Sequence, residues 1–158
     1  MQGTGGALRS RRRHAAPSGH PPGAFLRLWL DIMEPADSPG LPNDVLIVED
    51  DAIIALDFED TLLGFGVKTV RSAGNVARAL ELIADRAPDF ALLDVGLVSE
   101  RSFAVAERLQ ALQIPFVFIT GYSADMRLPP ALNGTPMLPK PCTSDALEAA
   151  LRQRSRTG

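Results

Sequence analysis

The chain has 158 residues, 46% of them apolar, with a formal net charge of −3. That is enough for one domain with its own core, and the acidic balance argues against a generic nucleic-acid binder, whose phosphate contacts need surplus Lys and Arg. The single cysteine, Cys142, excludes an internal disulfide and fits a reducing, cytoplasmic setting.

Charge is spread unevenly. Residues 1–33 carry five Arg and one acid, whereas residues 34–158 carry eleven Lys and Arg against eighteen acids. Residues 1–43 are rich in Gly, Pro, Ser and Arg without a sustained period, so a disordered basic extension is expected there, with Met33 as an alternative start. Arg11-Arg12-Arg13 followed by Phe25-Leu26-Arg27-Leu28-Trp29-Leu30 superficially suggests an export signal, but Arg27 and Asp31 break an already short apolar patch. Residues 25–32 are a candidate docking helix instead. No stretch approaches the roughly 18 apolar residues of a membrane span, so no membrane partner is expected.

From residue 44 the pattern changes. Val45-Leu46-Ile47-Val48 is a wholly apolar, β-branched-rich run that suits a parallel strand covered on both faces. Ile54, Phe58 and Leu62, spaced by four, give the following helix an apolar face, and Gly64 and Gly66 punctuate its end. Residues 67–70 read as a second, weaker strand. Asn75 is placed to cap a helix that buries Val76, Leu80 and Ile83. Pro88 leads into a third strand, Phe90-Ala91-Leu92-Leu93. Residues 103–112 read as helix, with Val105, Leu109 and Leu112 on one face. Pro115 opens a fourth strand, Phe116-Val117-Phe118-Ile119. Residues 123–133 stand where a fourth helix is due, but Pro129-Pro130 and Gly134 make it short or irregular. Met137-Leu138 is a short fifth strand, and Thr143-Ser144-Asp145 starts a last helix through Leu147 and Leu151.

Strands alternating with helices predict an α/β fold, a doubly wound five-stranded parallel sheet with helices on both faces. The crevice of such a sheet lies beyond the carboxyl ends of its strands. Glu49, Asp50 and Asp51 follow strand one, Asp94 strand three, Thr120 and Gly121 strand four, and Lys140 strand five. Taken singly, such an acid is usually a solvated loop residue or cap, and a Lys-Pro is usually a turn. Gathered together, the carboxylates repel and require a cation, and few carboxylates with open water positions suit Mg²⁺. A carboxylate beside Mg²⁺ can attack phosphorus and become an acyl phosphate, a reaction that depends on alignment and charge neutralisation.

Val45-Leu46-Ile47-Val48-Glu49-Asp50-Asp51, Leu93-Asp94-Val95, Ile119-Thr120-Gly121 and Lys140-Pro141 resemble the receiver domains of two-component response regulators. The resemblance covers about residues 44–154 and leaves 155–158 as a tail. It implies the flavodoxin-like strand order 2-1-3-4-5. It makes Asp94 the phosphoacceptor, with Asp50, Asp94 and the Gly96 carbonyl as Mg²⁺ ligands and Glu49 reaching the ion through water. Thr120 would contact the phosphoryl group, and Lys140 would pair with Asp94 before phosphorylation and with the phosphoryl group afterwards. Asp51 caps the first helix. The implied partners are a sensor histidine kinase or histidine phosphotransfer protein and a downstream protein target, with a second copy of the chain as a further candidate. No turnover activity is expected. Pro115-Phe116-Val117-Phe118-Ile119-Thr120-Gly121-Tyr122 resembles the FAT GUY subgroup, with Ile119 in place of the usual Ala. Only residues 153–158 follow the last helix, so a stand-alone regulator acting through protein contacts is expected.

Several positions depart from the family pattern. Met137 stands where the family has an aromatic switch; it is read first as a buried strand residue, and second as an atypical switch that repacks without flipping a ring. Tyr122 is placed to cover the site and lengthen the phosphoryl lifetime. Gly96 leaves the position two beyond Asp94 without a side chain, and Val98 stands near the usual Pro. Cys142 reads as a small buried filler, and His14 and His20 are too isolated to be a phosphodonor site. One alternative is a pseudo-receiver that binds a partner without phosphorylation. Another, a Mg²⁺-dependent phosphatase with an Asp nucleophile, would need an acid where Gly96 stands.

Overall fold

Side chains alternate across a β-strand, and here the alternation feeds two separate cores. The computed structural model describes residues 40–121 and 127–153. Met33 and most of the expected extension, Tyr122, and the tail at 155–158 lie outside the described residues. The elements are β1 (Asp44–Val48), α1 (Ala52–Phe65), β2 (Thr69–Ala73), α2 (Val76–Asp85), β3 (Phe90–Asp94), α3 (Phe103–Ala111), β4 (Phe116–Thr120), a 3-10 turn (Pro130–Leu132), β5 (Met137–Pro139) and α4 (Ser144–Gln153). All neighbouring strands pair in parallel, in the order β2-β1-β3-β4-β5. This is the flavodoxin-like order expected from the sequence.

Leu46, Val48, Ala91, Leu93 and Phe118 face one side, where Ala79 and Ile83 of α2 and Val105, Ala106 and Leu109 of α3 cover them. Val45, Ile47, Phe90, Leu92, Val117 and Ile119 face the other, under Phe58 and Leu62 of α1 and Leu147 and Leu151 of α4. Burying each of the Val, Leu, Ile and Phe side chains among these contributes roughly 1.5–3 kcal/mol before entropy is counted. Phe118 meets Phe103 and Phe116 edge to face, at centroid distances of 6.2 and 5.6 Å.

Two local expectations need correcting, and a third holds. The second strand begins at Thr69 rather than Val67. Gly66 ends α1 at φ 107°, and the Val67 N–H still donates to the Leu62 carbonyl at 3.2 Å, so Val67 belongs to the helix cap and is buried there. Leu112, expected on the buried face of α3, lies beyond the helix end and is exposed. Among the described residues of the 123–133 segment, the only helical element is the 3-10 turn, which agrees with the irregular fourth helix expected from Pro129-Pro130.

Candidate functional site

The carboxyl ends of β1, β3, β4 and β5 bring the predicted residues together. Leu93 and Val48 are register partners, which sets Asp94 beside Glu49 and Asp50. Glu49 and Asp94 are buried, 4% and 7% exposed, and Asp50 is half-buried. One carboxylate oxygen from each of Glu49, Asp50 and Asp94 lies within 4.8 Å of the others. Lys140 Nζ donates to Glu49 Oε2 at 2.7 Å and to Asp94 Oδ2 at 2.8 Å. The expected Lys140–Asp94 pair is therefore present. Its sharing with Glu49 was not foreseen.

Backbone contacts fix this cluster. The Lys140 N–H donates to the Thr120 carbonyl at 2.8 Å, tying the ends of β4 and β5. Thr120 is half-buried, one residue beyond Ile119, the register partner of Asp94. The Gly96 N–H donates to Asp94 Oδ1 at 3.0 Å, the Asp51 N–H to Glu49 Oε1 at 3.1 Å, and the Val98 N–H to Asp50 Oδ2 at 2.9 Å. Asp51 turns away from the cluster and caps α1, as expected, by accepting from the Ile53 and Ile54 N–H groups. The Lys140–Pro141 peptide is cis.

Burial pushes the Glu49 carboxyl above its ordinary 4.5 against the hydrogen bonds from Lys140 and the Asp51 N–H, and the Asp94 charge adds to the rise. Burial pulls Lys140 down, but its hydrogen bonds to Asp94 and Glu49 outweigh that and leave its pKa above 10.5. Among the described residues, three clustered carboxylates face one ammonium, which pairs with Glu49 and Asp94, so negative charge is left uncompensated. The donor set is all oxygen, and a hard divalent cation fits it.

Two departures resolve differently. Met137 is not a buried strand residue: it is 39% exposed, because β5 is a three-residue edge strand with one neighbour. Cys142 is half-buried against the α1/α4 core, where burial raises its thiol pKa, which accords with a filler. Sequence reasoning missed Glu100, whose Oε1 accepts from the N–H of Val76, the first residue of α2, at 2.9 Å. It also missed the Val98 amide, which has no signature in residue type.

The family model of the response regulator receiver domain matches residues 45–152. The chain belongs to this family. SdrG from Sphingomonas melonis, solved in solution, is 42% identical, covers 69% of this chain and 92% of its own, and has a TM-score of 0.60. The PhyR receiver domain of Erythrobacter litoralis, 24% identical over 76% of this chain and 94% of its own at a TM-score of 0.62, shares the fold. The transcriptional regulatory protein PdtaR of Mycobacterium tuberculosis is 32% identical over 84 residues, which is 52% of this chain and 41% of that protein. The receiver thus spans less than half the length of that curated relative. None of its described helices is long and apolar enough to cross a membrane.

Proposed function

We propose that Asp94 accepts a phosphoryl group from a phosphohistidine on a sensor histidine kinase or histidine phosphotransfer protein, and that the receiver then signals through protein contacts. The observation that carries this reading is the joint placement of Glu49, Asp50 and Asp94 within 4.8 Å with Lys140 bonded to Asp94. In the reaction, an Asp94 carboxylate oxygen forms a bond to phosphorus. The phosphorus–nitrogen bond breaks, and the donor imidazole keeps its electron pair. Asp94 becomes an acyl phosphate, which water later hydrolyses back to the carboxylate.

Asp50, Asp94 and the Gly96 carbonyl would hold Mg²⁺, with Glu49 acting through water. The ion supplies positive charge for the phosphoryl oxygens and lessens repulsion among the carboxylates. Lys140 exchanges its bond to Asp94 Oδ2 for one to a phosphoryl oxygen while keeping Glu49 as its anchor. The Thr120 hydroxyl contacts another phosphoryl oxygen, and because Lys140 is tied to the Thr120 carbonyl, a movement of one reaches the other. A solved structure of SdrG, 40% identical, is of its BeF₃-activated conformation, which supports an acceptor role for the matching carboxylate here.

The partner surface begins next to the site. On α1, Ile53 and Leu56 are 81% and 57% exposed, and Leu63 is also exposed. Apolar residues spaced along one exposed helix suit a protein contact. A binding module that never takes a phosphoryl group leaves the buried carboxylate cluster without a role.

The test is incubation of the full chain with Mg²⁺ and acetyl phosphate, followed by intact-mass measurement. One phosphoryl group per chain is expected, absent without Mg²⁺ and in Asp94→Ala. Incorporation that survives Asp94→Ala would overturn the reading.

A further inference from the structure

The Val98 side chain is 91% exposed, yet its backbone N–H meets Asp50 Oδ2 at 2.9 Å. Among the described residues, no other hydrogen bond reaches the Asp50 side chain. The segment carrying this amide is pinned on both sides. Upstream, the Gly96 N–H bonds Asp94, and Gly96 forms an antiparallel bridge with Arg101. Downstream, Glu100 accepts the first N–H of α2, and the Ser102 N–H donates to the Val95 carbonyl at 3.4 Å. An amide anchored in this way can hold a carboxylate in one orientation instead of following it.

Metal-binding carboxylates depend on such partners. A ligand held by an outer hydrogen bond loses less freedom on coordination, and deleting such a partner typically weakens metal binding 10- to 100-fold. Here the partner belongs to the backbone, at a position where proline would remove it. We propose that the Val98 N–H is a positioning group for Asp50, aiming its carboxylate into the cluster with Glu49 and Asp94. The inference rests on the reading of Asp50 as a metal ligand. The side chain at 98 contributes nothing to it, and Glu100 contributes indirectly, by anchoring the loop to α2.

The test removes the N–H alone. In the full chain, Val98 is replaced by its α-hydroxy-acid counterpart through nonsense suppression, which turns the amide into an ester and keeps the isopropyl group. The Mg²⁺ dissociation constant is measured by calorimetry with no phosphoryl donor present. Binding about 10-fold weaker than wild type is expected, with Val98→Ala unchanged. Val98→Pro is expected to weaken binding as well, and a melt in chelator confirms which variants stay folded. Wild-type or tighter affinity in a folded ester variant overturns the inference, as does lowered thermal stability in chelator with an unchanged dissociation constant. If the wild-type chain itself binds no Mg²⁺, the reading of Asp50 as a ligand falls, and the role of Val98 falls with it. If wild type binds and the ester variant binds equally, only the role of Val98 is lost.

Discussion

At the amino end of the sheet one carboxylate receives two guanidinium groups, while at the carboxyl end three carboxylates cluster beside one ammonium that pairs with two of them. Asp44 accepts from Arg71 Nε and Nη2 at 3.0 and 2.9 Å and from Arg86 Nε at 2.9 Å. Arg71 also donates to the Leu82 and Arg86 carbonyls where α2 ends. Asp89 accepts the Asn43 and Asp44 N–H groups. Charge and hydrogen bonding are matched there, as expected where residues only hold the fold. At the other end, among the described residues, Lys140 is the one cation bonded to Glu49 and Asp94, and the Asp50 side chain is held by a backbone amide. Proteins accept such local imbalance mainly where function requires it. On the proposed function, the difference between the ends separates what stabilises this domain from what it uses.

The comparison breaks most visibly at Asp44. Asp44 and Arg71 are both mostly buried, so Asp44→Ala leaves a guanidinium with carbonyl partners but no counter-charge. A loss of about 2–3 kcal/mol is expected in urea unfolding, with phosphorylation of folded protein intact. A loss under about 0.5 kcal/mol would show that the amino end is not a stability device.

The carboxyl end should respond in the opposite sense. Mg²⁺ at ten times its dissociation constant is expected to stabilise the wild-type chain by about 1.4 kcal/mol, and to leave Asp50→Asn nearly unaffected. Without Mg²⁺, Asp50→Asn is expected to be more stable than wild type by about 1 kcal/mol, because it removes one of three clustered charges and keeps an oxygen for the Val98 N–H. A destabilised Asp50→Asn, measured by the same unfolding, would contradict the imbalance.

Alkaline pH sharpens the contrast further. The folded pKa of Lys140 is raised above 10.5. Its ion pairs therefore contribute fully below pH 10.5 and are lost as pH rises through the folded value. Arg71 and Arg86 stay charged throughout that range. Stability is expected to fall above pH 10.5 in the wild type and to fall less in Lys140→Met, as read from urea midpoints. The smallest effect on stability belongs to α1. Ile53→Ser is expected to change it by less than about 0.5 kcal/mol while slowing phosphotransfer from a protein donor, with no change in labelling by acetyl phosphate.

Much of this was legible in the chain. β1, β3 and β4 are continuous apolar runs because both of their faces are covered, and the strand ends therefore located Glu49, Asp94 and Thr120. β2 was harder to place: it is an edge strand containing Arg71 and Ser72, so its apolar run is broken, and the apolar Val67 just upstream serves the helix cap instead. Met137 was misjudged because burial at an edge depends on what lies over it, which residue type does not encode. The Asp44–Arg71–Arg86 network spans 42 residues of sequence and carries no motif. The sharing of Lys140 between Glu49 and Asp94 follows from strand register, and the Val98 contact follows from backbone alone.

The central claim is that Asp94 forms an acyl phosphate. An acyl phosphate is reduced by borohydride, which converts the modified aspartate to homoserine. The full chain, labelled with acetyl phosphate and Mg²⁺ and then treated with borohydride, is digested and sequenced by mass spectrometry. Homoserine at position 94 and at no other acidic residue is the expected result. Unmodified Asp94, or homoserine at Glu49, Asp50 or elsewhere instead, would contradict the account.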